Sequence, residues 1–125
     1  MKIQESAENY LETILMLSEQ NPYVRSIDIA GELGFSKPSV SVAMKHLREN
    51  GYIEVNEAGH ITLTERGSEI AERIYERHTF LSRWLTALGV DPAVAAEDAC
   101  RMEHVISAES FDAIRAHVAQ KTGKA

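Results

Sequence analysis

The chain has 125 residues, 44% hydrophobic and 26% charged, a length and composition suited to one folded domain or to a small domain with an appended dimerisation part. Its net charge of −6 argues against a non-specific nucleic-acid binder, and its single cysteine excludes an internal disulfide. No apolar run approaches a membrane span, and Met1-Lys2-Ile3-Gln4-Glu5 lacks a signal-peptide core, so a cytoplasmic protein is expected.

Ser6 to Glu19 reads as a first helix, with Ser6 as N-cap and Tyr10, Leu11, Ile14, Leu15 and Leu17 on its apolar side; Asn21-Pro22 ends it. Ser26 to Leu33 reads as a short second helix, capped by Ser26, with Ile27, Ala30 and Leu33 inward. Gly34 supplies the turn. Ser36 caps a third helix with Pro38 in its first turn, and Asn50-Gly51 closes it. Its Val40, Met44 and Leu47 recur at helical spacing and point inward, which leaves Ser39, Ser41, Val42 and Lys45 outside. Tyr52 to Val55 and His60 to Leu63 alternate like two short strands joined by the turn Asn56-Glu57-Ala58-Gly59. Thr64 caps a long helix running to about Leu88, with Ile70, Ile74, Leu81 and Leu85 in one stripe and Gly89 at its end. Asp91-Pro92 restarts a helix, N-cap then first-turn proline. Ser107 caps the last one, with Phe111, Ile114 and Val118 inward, and Gln120 to Ala125 reads as a frayed tail.

Two helices joined by a glycine turn and followed by a hairpin make a winged helix-turn-helix over Ser26 to Leu63. Such a reader lays the start of its second helix in the major groove. Here that helix opens with Ser36, Lys37, Pro38, Ser39 and Ser41, small enough for close approach to phosphates and base edges. Val42 can meet a thymine methyl, and Lys45 and Arg48 suit phosphate. No acid lies between Ser36 and Arg48, whereas acids gather in Glu5 to Glu19 and Glu97 to Glu109. A locally basic reader on an acidic body suits DNA binding that must be switched on. A winged helix used only for protein contacts is the alternative.

Cys100, Glu103 and His104 stand as C-x-x-E-H. Residues three and four apart share a helix face, so thiolate, carboxylate and imidazole converge as donors to a divalent transition metal. Singly, each has an ordinary explanation: a core cysteine, a solvated glutamate, a satisfied histidine. Their spacing makes the metal reading the better one. His78 lies beside the apolar stripe of the long helix, where a lone histidine is usually structural. Asn9 and Glu12 form a polar pair on the first helix, and most such pairs are solvated.

Tyr10-Leu11-Glu12-Thr13-Ile14, Asp28-Ile29-Ala30 with Leu33, Pro38-Ser39-Val40-Ser41, Leu63-Thr64-Glu65-Arg66-Gly67, Arg77-His78 and Cys100-Arg101-Met102-Glu103-His104 together resemble the iron- and manganese-dependent repressors typified by the diphtheria toxin repressor and the manganese transport regulator. The resemblance runs from the first helix to about Ala113. It implies a mainly α protein: a winged helix-turn-helix DNA-binding domain, residues 1–66, followed by a helical dimerisation and metal-binding domain, residues 67–125. It implies a homodimer that binds an operator, expected to be palindromic, and represses genes when its metal is abundant. His78, Glu103 and His104 match ligand positions of both branches. Cys100 matches the iron branch, and Glu12 the manganese branch. Asn9 matches neither, and Ser82 and Ala96 replace two ligands of the iron branch's ancillary site. In length the chain looks like the manganese type. Thiolate favours Fe(II) over Mn(II), and also Co(II), Ni(II) and Zn(II), so Fe(II) is expected with Mn(II) as runner-up. If all these donors held one metal, it would tie the reader to the dimerisation part and remove the repulsion among Glu12, Glu103 and the thiolate.

Other classes would use the same residues differently. A metalloenzyme would take Glu103 as general base, but no H-E-x-x-H, phosphate loop or nucleophile motif accompanies the cluster. A regulator sensing an organic ligand would keep the cluster as a structural zinc site.

Overall fold

Short-range signals set most element boundaries in the computed structural model, which describes residues 5–121. The order is α1 (Glu5–Gln20), α2 (Ser26–Leu33), α3 (Lys37–Glu49), β1 (Ile53–Val55), β2 (Ile61–Leu63), α4 (Glu65–Ala87), α5 (Pro92–Val105) and α6 (Ala108–Lys121). These form two units, one ending at Arg73 and the other beginning at Ile74, so the divide falls within α4.

The first unit is a winged helix-turn-helix. Leu11 and Ile14 of α1, Ile29 and Ala30 of α2, and Val40, Met44 and Leu47 of α3 bury against Val24, Ile53 and Ile61. Each wholly buried aliphatic side chain here contributes roughly 1.5–3 kcal/mol relative to exposure. Gly34 ends α2 at φ 71, a left-handed conformation that costs glycine least. Ser36 caps α3, its Oγ accepting from the Ser39 N–H at 3.3 Å. β1 and β2 pair antiparallel with Ile53 opposite Leu63, Glu54 opposite Thr62 and Val55 opposite Ile61. Val24 adds a bridge to the free side of β2, its carbonyl accepting from Ile61 N–H at 2.7 Å. The Asn56 side chain closes the wing turn by accepting from the N–H groups of Ala58 and His60, at 3.0 and 2.9 Å. Thr64 caps α4: its Oγ1 accepts from Gly67 N–H at 3.2 Å and donates to the Gly51 carbonyl at 2.7 Å. The helix then passes so close to the residue before β1 that a Cβ on Gly67 would stand 2.0 Å from the Tyr52 carbonyl oxygen.

The second unit packs Leu81 of α4, Ala99 of α5 and Phe111 of α6 at its centre, with Phe80, Trp84, Met102 and Ile106 against them. Asp91 caps α5 by accepting from Ala93 N–H at 3.1 Å, and Ser107 caps α6 by accepting from Ser110 N–H at 3.0 Å. Leu88, Val94 and Val105 stay exposed.

Five sequence expectations need correction. Arg25, not Ser26, is the N-cap of α2; its own N–H is held by Asp28 Oδ2 at 2.9 Å. Ile27 is 54% exposed, and Ile29 takes the core position instead. α4 stops at Ala87, one residue short of the expected end. Gln120 and Lys121 belong to α6, while the remainder of the expected tail, residues 122–125, lies outside the described residues. Ser6 sits one residue inside α1 rather than before it.

Candidate metal centre and DNA-reading face

One turn of α5 separates Cys100 from Glu103 and His104, and the structure brings the three together. One donor atom from each lies within 4.8 Å of the others. Cys100 is half-buried and Glu103 wholly buried. α4 adds His78, whose Nδ1 stands 3.1 Å from Glu103 Oε2, and His104 Nε2 stands 3.3 Å from Glu103 Oε1.

A buried carboxylate normally finds donors, because burying a charge without them costs several kcal/mol or more. Among the described residues neither Glu103 oxygen accepts a well-directed hydrogen bond, and His78 Nδ1 makes none. The His78 contact is within ion-pair distance yet misses the N–H···O direction. Glu103 still acts on His78: its carboxylate, as hydrogen-bond acceptor for the protonated ring, raises the imidazole above its usual 6.5, burial opposes this, and the charge attraction adds to it. Orphaned carboxylate oxygens, an imidazole turned onto them, and a thiol and second imidazole within reach fit a divalent transition ion.

Glu12 and Asn9 lie on α1 in the first unit, Glu12 buried and Asn9 half-buried. The Asn9 carbonyl accepts from Thr13 Oγ1 at 2.8 Å. Ser82 on α4 and Ala96 on α5 offer neither carboxylate, thiol nor imidazole.

On α3, every residue expected at the DNA face is exposed: Ser36, Lys37, Pro38, Ser39, Ser41, Val42, Lys45 and Arg48. Ser36 Oγ donates to Ser39 Oγ at 2.8 Å, so these two hydroxyls are already coupled. Ser26, Ser41, Lys45 and Arg48 line a depression of about 210 Å³. Beside the wing, Arg25 Nη2 stands 3.3 Å from His60 Nε2, and the His60 ring packs on Tyr23 with centroids 4.7 Å apart.

A winged-helix reader and a helical unit with a Cys/Glu/His cluster define a metal-responsive DNA-binding regulator. The family models for the iron-dependent repressor N-terminal DNA-binding domain and the iron-dependent repressor metal-binding and dimerisation domain match residues 2–61 and 64–122. The chain therefore belongs to the iron-dependent repressor family, whose members are metal-dependent transcriptional repressors and not enzymes. It is 37% identical over 111 residues to the transcriptional regulator MntR of Escherichia coli O6:H1, covering 89% of this chain and 72% of that one. It is 35% identical over 109 residues to the regulator MntR of Listeria monocytogenes serotype 4a, covering 87% and 77%. A solved manganese-dependent transcriptional repressor in complex with manganese superposes with a TM-score of 0.79 at 27% identity, covering 94% of this chain. The chain spans 52% of the length of that neighbour.

Proposed function

We propose that this protein is an Fe(II)-responsive repressor of metal-homeostasis genes that acts as a homodimer on a palindromic operator in the cytoplasm. The observation that carries the metal reading is Glu103, wholly buried, with its two oxygens 3.1 Å from His78 Nδ1 and 3.3 Å from His104 Nε2 and no well-directed hydrogen bond to either. In this proposal Cys100, Glu103, His104 and His78 are ligands. Glu12, with Asn9 beside it, is a further donor from the first helix on the strength of the sequence alone. Residues 1–66 form the reading domain and 67–125 the metal-binding and dimerisation domain.

A bound divalent ion would supply the positive charge that the Glu103 carboxylate and Cys100 thiolate lack. Cys100 adds softness that selects Fe(II) over Mn(II), and also accepts Co(II), Ni(II) or Zn(II). His78 must be neutral to donate its lone pair. Ser36, Lys37, Pro38, Ser39, Ser41 and Val42 face the major groove, with Lys45 and Arg48 on phosphate. Metal controls DNA binding only as far as it prefers the DNA-competent state.

A second reading, Mn(II) as the physiological ion, is favoured by the relatives named MntR and by the neighbour solved with manganese. One experiment tests both. A DNA site selected by the protein from random sequence is titrated with protein under anaerobic Fe(II), Mn(II), Co(II), Ni(II) and Zn(II). Tighter binding with Fe(II) than with Mn(II) at equal free ion supports the first reading, and the reverse order supports the second. Binding indifferent to every ion would end the metal-sensor proposal.

A further inference from the structure

Arg77 stands next to His78 on α4, and the two hold the same residue of α5 from opposite ends. His78 meets the Glu103 side chain, Nδ1 to Oε2 at 3.1 Å. Arg77 meets its backbone: Nη1 donates to the Glu103 carbonyl at 3.3 Å and to the Ile106 carbonyl at 3.0 Å.

These carbonyls lie where α5 runs out. A helix leaves its last four carbonyls without intrahelical donors. Here the Met102 carbonyl accepts from Ile106 N–H at 2.9 Å, and the next, that of Glu103, is taken by Arg77. The last turn of α5 carries Glu103 and His104, the two residues whose donor atoms meet at 3.3 Å. Without a partner from outside, that turn would be free to fray, and the ligand atoms would fray with it. The guanidinium is itself held, with its central carbon 5.3 Å from the centre of the Phe111 ring. Arg115 lies over the same ring at 4.9 Å, and Phe80 meets it edge-on at 5.5 Å and 81°. The chain of contacts thus runs from the aromatic core of the second unit, through Arg77, to the backbone of the ligand turn.

We infer that Arg77 is a positioning residue for the metal centre: it fixes the last turn of α5 so that Glu103 and His104 reach one ion together with His78. The inference rests on the metal-ligand reading proposed above. Groups that orient ligands without touching the ion are worth about 10–100-fold in affinity. Arg77 also puts a cation at the negative end of the α5 dipole, but charge alone does not explain two directed bonds to two carbonyls.

The test uses the full chain and Co(II), whose visible absorption reports coordination geometry. Wild type is titrated first, with Cys100→Ser as control for the sulfur-dependent band. Failure of wild type to bind Co(II) removes the ligand reading and this inference with it. If wild type binds, Arg77→Met is expected to bind Co(II) about 10-fold or more weakly, with an altered absorption spectrum at saturation. Arg77→Lys, which keeps a donor group on a long stem, should recover part of that loss. Arg115→Met, which removes the other cation over Phe111 but touches neither carbonyl, should bind like wild type. A residue that merely stabilises the fold would lower the melting temperature of Arg77→Met and leave affinity and spectrum unchanged, and that result would overturn the inference while the ligand reading stands. Should Arg77→Met not fold, Arg77→Gln, polar but on a stem too short to hold both carbonyls, takes its place. A spectrum and affinity equal to wild type in Arg77→Gln would overturn the inference equally.

Discussion

His78 and Glu103 meet side chain to side chain, 3.1 Å apart, with the glutamate wholly buried and the histidine about a quarter exposed. With His78 as a ligand, as proposed, this pair would let protons compete with metal. Glu103 raises His78 above its ordinary 6.5, through its hydrogen-bonding contact first and its charge second, against the opposing effect of burial. A histidine raised in the folded state stabilises the metal-free protein fully below the unfolded value, near pH 6.5. That contribution is lost as pH rises through the folded value. A metal held by His78 would require the neutral ring, so its affinity would change in the opposite sense. Metal affinity should fall as pH drops through the raised value, where binding displaces the His78 proton. Calorimetry in two buffers of different ionisation enthalpy measures that release. In Glu103→Gln the histidine midpoint, followed by NMR of the metal-free protein, should drop, and an unchanged midpoint would show that Glu103 is not what raises it.

Gly67 makes a separate prediction about the reader. A Cβ at this position would stand 2.0 Å from the Tyr52 carbonyl oxygen, so even alanine cannot enter without moving α4 away from Tyr52. Gly67→Ala should destabilise the protein by about 1–3 kcal/mol, the usual range for overpacking. Denaturant unfolding checks this. A midpoint equal to wild type would mean that the start of α4 shifts freely.

Much of this architecture was legible in the sequence because its signals are local. Ser36 with Pro38, and Asp91 with Pro92, mark helix starts by cap chemistry acting within one turn, and both caps are present. Cys100, Glu103 and His104 could be grouped because helical spacing alone puts them on one face. Other features depend on contacts far apart in the chain. The eight-residue α2 offers both Ile27 and Ile29 as apolar candidates, and only the position of its neighbours buries Ile29 and leaves Ile27 out. Arg25 became the N-cap through its extended backbone and the carboxylate of Asp28, not through cap chemistry of its own side chain. The meeting of His78 with Glu103 joins residues of two helices, and the bond from Arg77 ends on a backbone carbonyl, which no side-chain pattern records.

On the DNA face, Lys45 is exposed and lines the depression beside Ser41 and Arg48. A phosphate contact carries no base information. Lys45→Ala should therefore weaken binding similarly on every DNA sequence and lower the slope of log affinity against log salt by about one unit. Ser39 differs, because its hydroxyl is engaged with Ser36 at 2.8 Å yet remains exposed at the helix start. Ser39→Ala should change sequence preference rather than the salt slope. Binding measured on a selected site and on scrambled DNA across a salt series separates the two effects. Equal affinities for wild type and both variants would mean that α3 is not the element in the groove.

In the proposed site, Cys100 is the ligand expected to select among metals. It is half-buried, and its ligand atom lies within reach of those of Glu103 and His104. Cys100→Ser keeps the volume and replaces a soft thiolate with a hydroxyl, a poor ligand for Fe(II), Co(II) or Zn(II). The variant should fold with a melting temperature close to wild type. Its affinity for Fe(II) and Co(II) should fall by about 10-fold or more, and for Mn(II), a harder ion that gains less from sulfur, by less. Oxidation of the thiol should have the same effect, because only the thiolate is a good donor. Glu103→Ala and His104→Ala should lose all ions alike, since carboxylate and imidazole serve hard and borderline metals together. Anaerobic Fe(II) and Mn(II) titrations followed by DNA binding measure both affinities in each variant. Identical Fe(II) curves for wild type and Cys100→Ser would make Cys100 a packing residue and leave Mn(II) the better assignment.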